Sequence, residues 1–394
     1  MSTSEVFIVS AARTAIGSFG GTLKDISLSQ LATTAVQAVL QRSGCAPDRV
    51  GSVVLGTVIP TDPRDAYLSR VAAIQAGIPN ETPAFNVNRL CGSGLQAIIS
   101  AAQGLFLGEN EVAVAGGAEC MSRGPYILPS ARWGGRLGDM QAVDYMLGIL
   151  HDPFHRIHMG ITAENIAERC GISRAEQDAL ALESQKRAVR AIAEGRFAGQ
   201  IVPVEVKTRK GIQQFEVDEH VRGDVTLDQL AAMKAAFKAD GTVTAGNASG
   251  LNDGAAALLL ASSTALKSEN LRPLARLVSY ACSGVEPELM GLGPIPATRL
   301  ALKRAGLTVA DLDVIESNEA FASQACAVAR ELDFDPAKVN PNGSGISLGH
   351  PVGATGAIIV TKAIHELHRV QGRYALATMC IGGGQGIAAI FERV

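Results

Sequence analysis

The feature that most constrains this 394-residue chain is a repeat inside it. Arg42-Ser43-Gly44 and Val53 match Arg304-Ala305-Gly306 and Ile315, each pair separated by 262 positions. The run GSGLQAII around Gly94 lies over GATGAIIV around Gly356 at the same spacing, as does Val112-Ala-Val-Ala over Tyr374-Ala-Leu-Ala. Three blocks that keep one spacing without insertion leave little room for chance. The period far exceeds the roughly 20–50 residues of stacked repeats, so the chain reads as two copies of one unit.

The unit is α/β. Its first copy opens with a strand candidate at Val6–Val9, then a helix with Leu28, Leu31, Ala35, Val39 and Leu40 on one face, closed by Gly44. A second strand candidate spans Val50–Leu55, and Val112–Ala115 runs into Gly116-Gly117 after a further apolar helix. The segment from about Met121 to Gly250 has no counterpart. It holds the loop SARWGGRLGD, a capping box at Ser173-Arg-Ala-Glu176 and a charged strand near Lys207–Lys210, and reads as an insertion that covers a substrate.

Composition bounds the partners. A chain this long supports two or three domains, and 47% hydrophobic against 19% charged residues fits a globule with large interiors. Its 42 glycines exceed average usage of about 7%, which implies close backbone approaches. A net charge of -3 and a pI near 6.2 give no basic field for nucleic acid or anionic lipid. The start MSTSEVFIVSAART lacks a basic, then apolar, leader, and no segment is read as approaching the roughly 18 apolar residues of a membrane span. The expectation is a cytoplasmic enzyme. Seven widely spaced cysteines without a C-x-x-C pair are mostly small buried hydrophobes.

Cys91 stands apart, because NRLCGSGLQAI sets it just before small residues and an apolar helix. At a helix start, free N–H groups and the dipole favour a thiolate and lower the thiol pKa. On this motif alone the residue is either a nucleophile or a core thiol. The second copy adds GHPVGATG, in which His350 falls on the place of Asn88; pairing of the halves brings the two helix starts together. His350 then serves as a base, or else caps a turn. In TMCIGGGQG, Cys380 ends a strand where the first copy has Ala118. Its glycines lack dinucleotide-loop spacing, and GHPVGATG lacks the Lys-Ser/Thr of a phosphate loop. In HDPFHRIHMG, His151 and His155 have helical ligand spacing, but Pro153 interrupts a helix and Asp152 is the only carboxylate, so no metal is expected.

In order and spacing over essentially the whole chain, NRLCGSGLQAI, AGNASGLNDGA, NEAFA, GHPVGATG and CIGGGQG resemble the motifs of the thiolase family, specifically its bacterial acetyl-CoA acetyltransferases and broad-specificity β-ketothiolases. The resemblance implies the thiolase fold: two duplicated βαβαβαββ-type halves in a layered αβαβα core with two mixed sheets. It divides the chain into an N-terminal half (1–120 with 251–270), an inserted loop domain (121–250) and a C-terminal half (271–394). It implies reversible Claisen condensation of acetyl-CoA with a second acyl-CoA, in fatty acid metabolism or polyhydroxyalkanoate biosynthesis.

By the same resemblance, Cys91 carries the acyl group, His350 accepts its proton and Cys380 moves the α-proton. The N–H groups of Cys91 and Gly382 hold one oxyanion, and His350 with a water on Asn318 holds the other, while Glu319 is structural. Leu150, His158, Met159, Arg222, Ser249, Met290 and Phe321 receive coenzyme A. Acetyl-CoA, short 3-ketoacyl-CoA and free CoA are the small-molecule partners, no cofactor is required, and a homotetramer built as a dimer of dimers is implied. HDPFHRIHMG resembles the loop beside the acyl tunnel, with Phe154 and Ile157 expected to shape its wall. Two alternatives are weighed: a β-ketoacyl synthase using an acyl carrier protein, against which Cys380 argues, and a non-catalytic acyl-CoA-binding protein of the same fold.

Overall fold

The computed structural model describes residues 5–209 and 211–394, so Lys210 of the expected charged strand lies outside the described residues. In chain order the first copy contributes β1 (Val6–Thr14), α1 (Leu28–Ser43), β2 (Ser52–Gly56), β3 (Ala84–Val87), α2 (Ser93–Leu107) and β4 (Val112–Cys120). Two insertion helices follow, α3 (Met159–Cys170) and α4 (Arg174–Ala193), before β5 (Asn252–Ser262) returns to the first sheet. The second copy holds β6 (Ala275–Gly284), α5 (Pro294–Ala305), β7 (Val314–Ser317), α6 (Ala322–Glu331), α7 (Val352–Arg369), β8 (Tyr374–Ile381) and β9 (Gln385–Arg393).

The repeat is a repeat of register. Val53 pairs in parallel with Val114 on one side and Ala84 on the other; Ile315, its equivalent, pairs in parallel with Leu376 and Val339. Each half runs in the order β1-β5-β4-β2-β3 or β6-β9-β8-β7. Helices α1 and α5 end alike, on Gly44 at φ 69° and Gly306 at φ 67°. The expected two sheets are in fact one hydrogen-bonded path, because the edges β1 and β6 meet through the pairs Phe7–Arg276 and Ile8–Ala275. So short a ladder joins the halves without flattening them into one layer.

Helix α1 covers the outer face of the first half and α5 that of the second, while α2 and α7 lie together between the sheets. Their crossing shows the pseudo-twofold directly. A Cβ on Gly94 would stand 2.7 Å from the Ala357 nitrogen, and one on Gly356 would stand 2.2 Å from the Leu95 nitrogen. Each glycine of the repeat thus faces the residue after its own counterpart, and nothing larger fits where two helix backbones touch.

The glycine pair Gly116-Gly117 does not end β4, which continues to Cys120. A Cβ on Gly117 would meet the Gly353 carbonyl at 2.2 Å, so its missing side chain seats the start of α7 against the strand, while one on Gly116 would strike β5 at the Ala256 carbonyl. Helix α2 also corrects the reading of apolar runs. The stretch Leu90–Leu107 has the length and hydropathy of a membrane span, yet it is the central helix packed on α7. Ser173 and Glu176 form the expected capping box of α4. The insertion is fastened by Asp218, which takes a bidentate pair from Arg13 of β1 at 2.7 and 2.9 Å, both side chains fully buried.

Candidate active site

Where α2 and α7 begin, the chain turns tightly. Leu90 takes φ 48°, rare for a branched side chain, and is held by its N–H donating to Asn88 Oδ1 at 3.0 Å. Ser93 Oγ accepts from the Arg89 N–H and donates to the Leu90 carbonyl. Cys91 therefore sits one residue before the Gly92 cap of α2, its sulfur facing a cavity of about 260 Å³. The small residues after it answer to close packing: Gly92 lies against Ile381 and Gly94 against α7.

His350, Cys380 and Gly382 line the same cavity. The glycines of CIGGGQG form the β8–β9 hairpin turn, with Gly383 and Gly384 at φ 79° and 84°. This turn aims the Gly382 N–H at the Cys91 sulfur, which also receives its own N–H. Two N–H groups thus lie by the sulfur, and each favours its thiolate. The expected lowering of the thiol pKa does not hold. Burial pushes Cys91 up to about 11, with the Glu119 charge adding to it and the two N–H groups only partly offsetting it. Cys380 is likewise raised above the ordinary thiol range, by burial and then by its neighbour Cys91.

His350 is buried and held near pKa 4 by loss of solvent, hence neutral. Its tautomer follows from its partners. Thr355 Oγ1 donates to the Pro351 carbonyl at 2.9 Å, so at 2.7 Å it accepts from His350 Nδ1–H. Nε2 is left unprotonated, facing Asn318 Nδ2 at 3.5 Å, the outer limit of a hydrogen bond. Asn318 Oδ1 has no partner among the described residues, which suits an amide that holds a water. The His350 N–H donates to Asn252 Oδ1 at 2.9 Å, and Gly349, at φ 106°, lies so close to Asn252 that a Cβ would be 2.4 Å from its Cγ. Glu319 accepts from Ser184 of α4 and Asn340 of the next loop, which makes it structural as expected.

Leu150, His158, Met159, Ser249, Met290 and Phe321 also line the cavity, whereas Arg222 is exposed outside it, its guanidinium unpaired among the described residues. His158 caps α3 by accepting the Gly160 N–H on Nδ1, and stacks on Phe237 at 4.6 Å, which meets Phe321 edge-on. Leu251 and Val352, inside the quoted motifs AGNASGLNDGA and GHPVGATG, also line it, as do Phe237, Met121 and Leu147, which were missed because nothing in their local sequence marks them as close to Cys91. The expected tunnel wall is corrected. Asp152 accepts from the N–H groups of Phe154 and His155 and turns the loop outward, leaving Phe154 70% exposed; neither it nor Ile157 lines the cavity. His155 Nδ1 bonds Asp152 and His151 Nδ1 bonds the Leu147 carbonyl, so the spaced histidines have separate partners.

The comparisons agree with this geometry. The family description "Thiolase, N-terminal domain" matches residues 6–264 and "Thiolase, C-terminal domain" residues 271–393. Beta-ketothiolase BktB of Cupriavidus necator is 63% identical over 393 residues, all of both chains. An acetyl-CoA acetyltransferase of Chromobacterium violaceum is 50% identical over 99% of this chain and 100% of its own. Human mitochondrial 3-ketoacyl-CoA thiolase superimposes with a TM-score of 0.98 at 46% identity over the full length of both chains; its structure in complex with CoA gives 0.97, covering 100% of this chain and 98% of that one. With both domain descriptions matched end to end on a duplicated fold that closes two thiols and a histidine around one cavity, this chain belongs to the thiolase family.

Proposed function

We propose that the protein is an acyl-CoA C-acyltransferase that condenses acetyl-CoA with acetyl-CoA or a short acyl-CoA, reversibly, through an acyl-enzyme on Cys91. The observation that carries this reading is the unprotonated Nε2 of His350 in the same apolar cavity as a neutral Cys91 thiol over which the Cys91 and Gly382 N–H groups converge. In the first step Cys91 Sγ attacks the thioester carbonyl as its proton passes to His350 Nε2, and the carbonyl oxygen takes its charge between the two N–H groups. Collapse expels coenzyme A, which leaves with that proton.

In the second step Cys380 removes the α-proton of an incoming acetyl-CoA. Its own proton passes first to His350 Nε2, which returns it to Cys91 when that sulfur leaves, and the buried thiolate so formed is a strong base because desolvation favours the protonated form. The enolate oxygen is held by His350 and an Asn318-bound water, and the carbanion attacks the acyl carbon, freeing Cys91. Neither alternative is favoured: a β-ketoacyl synthase site has no place for Cys380, and a mere binding protein has no use for a tautomer-fixed base.

In this reading segment 121–250 receives coenzyme A over the two halves 1–120 with 251–270 and 271–394. Leu150, His158, Met159, Ser249, Met290 and Phe321 contact the thioester arm, and exposed Arg222 meets the nucleotide phosphates. The substrates supply all the chemistry, so no further cofactor is needed, and the setting is cytoplasmic. Edge strand β3 with exposed Phe85, together with Trp133 (89% exposed) and Leu137 on the insertion, supports assembly into a dimer of dimers. The test is incubation with acetyl-CoA followed by peptide mass spectrometry. One acetyl group per subunit on Cys91, blocked by iodoacetamide, is expected; a label on Cys120 or Cys170, or no label, overturns the reading.

A further inference from the structure

Beneath the site lies a charged group that the reaction above does not use. Glu119, near the end of β4, is fully buried, and no cation pairs with it among the described residues. Its carboxylate is met by donors instead: Oε1 accepts from the Ile59 N–H at 3.0 Å and Thr57 Oγ1 at 3.4 Å, and Oε2 from the Val58 N–H at 3.0 Å and the Gly353 N–H at 2.8 Å. Burial pushes its pKa up to about 8, the four donors only partly offsetting it, so the group ionises through the mildly alkaline range.

The position of these donors gives Glu119 its meaning. Gly353 is the second residue of α7 and stands three residues after His350, so Glu119 caps the helix that carries the base from a strand 234 residues away. The side chains of Val58 and Val352 pack in one cluster with Leu90 and Cys91. Gly353 has no room for a Cβ, which would lie 2.5 Å from Glu119 Oε2. At the repeat-equivalent place the second copy has apolar Ile381, packed on Gly92. The start of α2 is therefore left without a carboxylate, while the start of α7 is occupied.

We propose that Glu119 is a positioning residue for acyl transfer, one that fixes the His350 turn opposite Cys91 and, once ionised, places a negative charge near the thiol. The inference rests on the acyl-enzyme reading above. Its two effects oppose one another in experiment, which a merely structural role would not produce. In Glu119→Gln the charge is gone and, in either orientation, the amide N–H₂ faces at least one backbone donor. At pH 9, where Glu119 is ionised in the wild type, iodoacetamide should alkylate Cys91 of the variant roughly threefold faster or more, because the thiolate loses a repulsive neighbour. Acetylation by acetyl-CoA should instead slow by about tenfold or more as the turn loosens, with KM for acetoacetyl-CoA within about threefold. Any other pattern overturns the assignment.

Glu119→Asp keeps the charge but shortens the clamp by one methylene, so acetylation should slow while alkylation stays within about twofold of wild type. If the Gln variant does not fold, this one decides alone, and acetylation at the wild-type rate overturns the proposal. Absence of any acetyl group on wild-type Cys91 would instead overturn the acyl-enzyme reading, so the two failures are told apart.

Discussion

The two halves of this protein share strand order, register and helix crossing, yet at equivalent places they carry different chemistry. The start of α2 holds Cys91 where the start of α7 holds Gly353; Asn88 stands where His350 does; β4 has Ala118 where β8 has Cys380. The duplicated part is the apolar scaffold, whose demands on backbone spacing are the same in both copies. Within the repeated elements, Cys91, His350 and Cys380 lie at strand and helix ends that meet around the cavity. A pseudo-twofold core supplies two facing helix starts, and the loss of symmetry at a few side chains divides the labour between them.

The sharpest way to break this comparison is to remove the residue that only one half has. Cys91→Ala should lower thiolysis of acetoacetyl-CoA by on the order of 10³-fold or more, since no other group can carry the acyl chain. Residual turnover within about tenfold of wild type in a steady-state assay would show that the asymmetry at this helix start is not catalytic.

Next in size, Cys380→Ser should still accept an acetyl group on Cys91 but should turn over about 10²- to 10⁴-fold more slowly, because a serine hydroxyl is a far weaker base. His350→Ala should slow the acetylation itself. Separate burst and steady-state measurements distinguish the two steps, and near-normal condensation by Cys380→Ser would return the second half's thiol to a packing role.

The raised Cys91 thiol makes a third prediction. With its pKa near 11, the thiolate fraction grows through the alkaline range, so iodoacetamide alkylation of Cys91 should climb roughly tenfold per pH unit between 8 and 10. A plateau reached near pH 8 would mean that the helix start, not desolvation, governs the thiol.

The smallest effect concerns the wall of the cavity. Leu147, Leu150, Met290 and Val352 are apolar and unlike in length, so one added methylene on the acyl chain should be tolerated. Thiolysis of 3-ketovaleryl-CoA should fall within about tenfold of acetoacetyl-CoA in kcat/KM, toward the low end of the roughly 10- to 200-fold that a pocket can impose. A preference for acetoacetyl-CoA beyond about 100-fold would narrow the substrate to the shorter chain.

Much of the site was legible because its signals are local. Gly-Ser-Gly after Cys91, glycine and proline around His350 and the triple glycine after Cys380 are visible as sequence, and all mark close backbone contacts. Glu119 was legible in principle, as the one carboxylate in the small-residue strand VAVAGGAEC, yet its partners Val58, Ile59 and Gly353 are brought to it only by folding. Phe237 gave no signal, since its stacking on His158 joins two loops of the insertion. Phe154 was misplaced because the turn at Asp152 decides which side of the loop faces solvent.

By itself the sequence determined the duplication, the α/β pattern of each copy and the three residues whose chemistry differs between the copies. These follow from periodicity and from glycine spacing, which act over a few residues and repeat at a fixed interval. The tertiary structure alone decided the protonation state of those residues. Cys91 is raised and His350 is neutral because both lose solvent when α2 and α7 close between the two halves, and His350 keeps Nε2 free because its one ring proton, on Nδ1, is donated to Thr355 Oγ1. Desolvation depends on what packs around a group from every direction, and no local pattern records that.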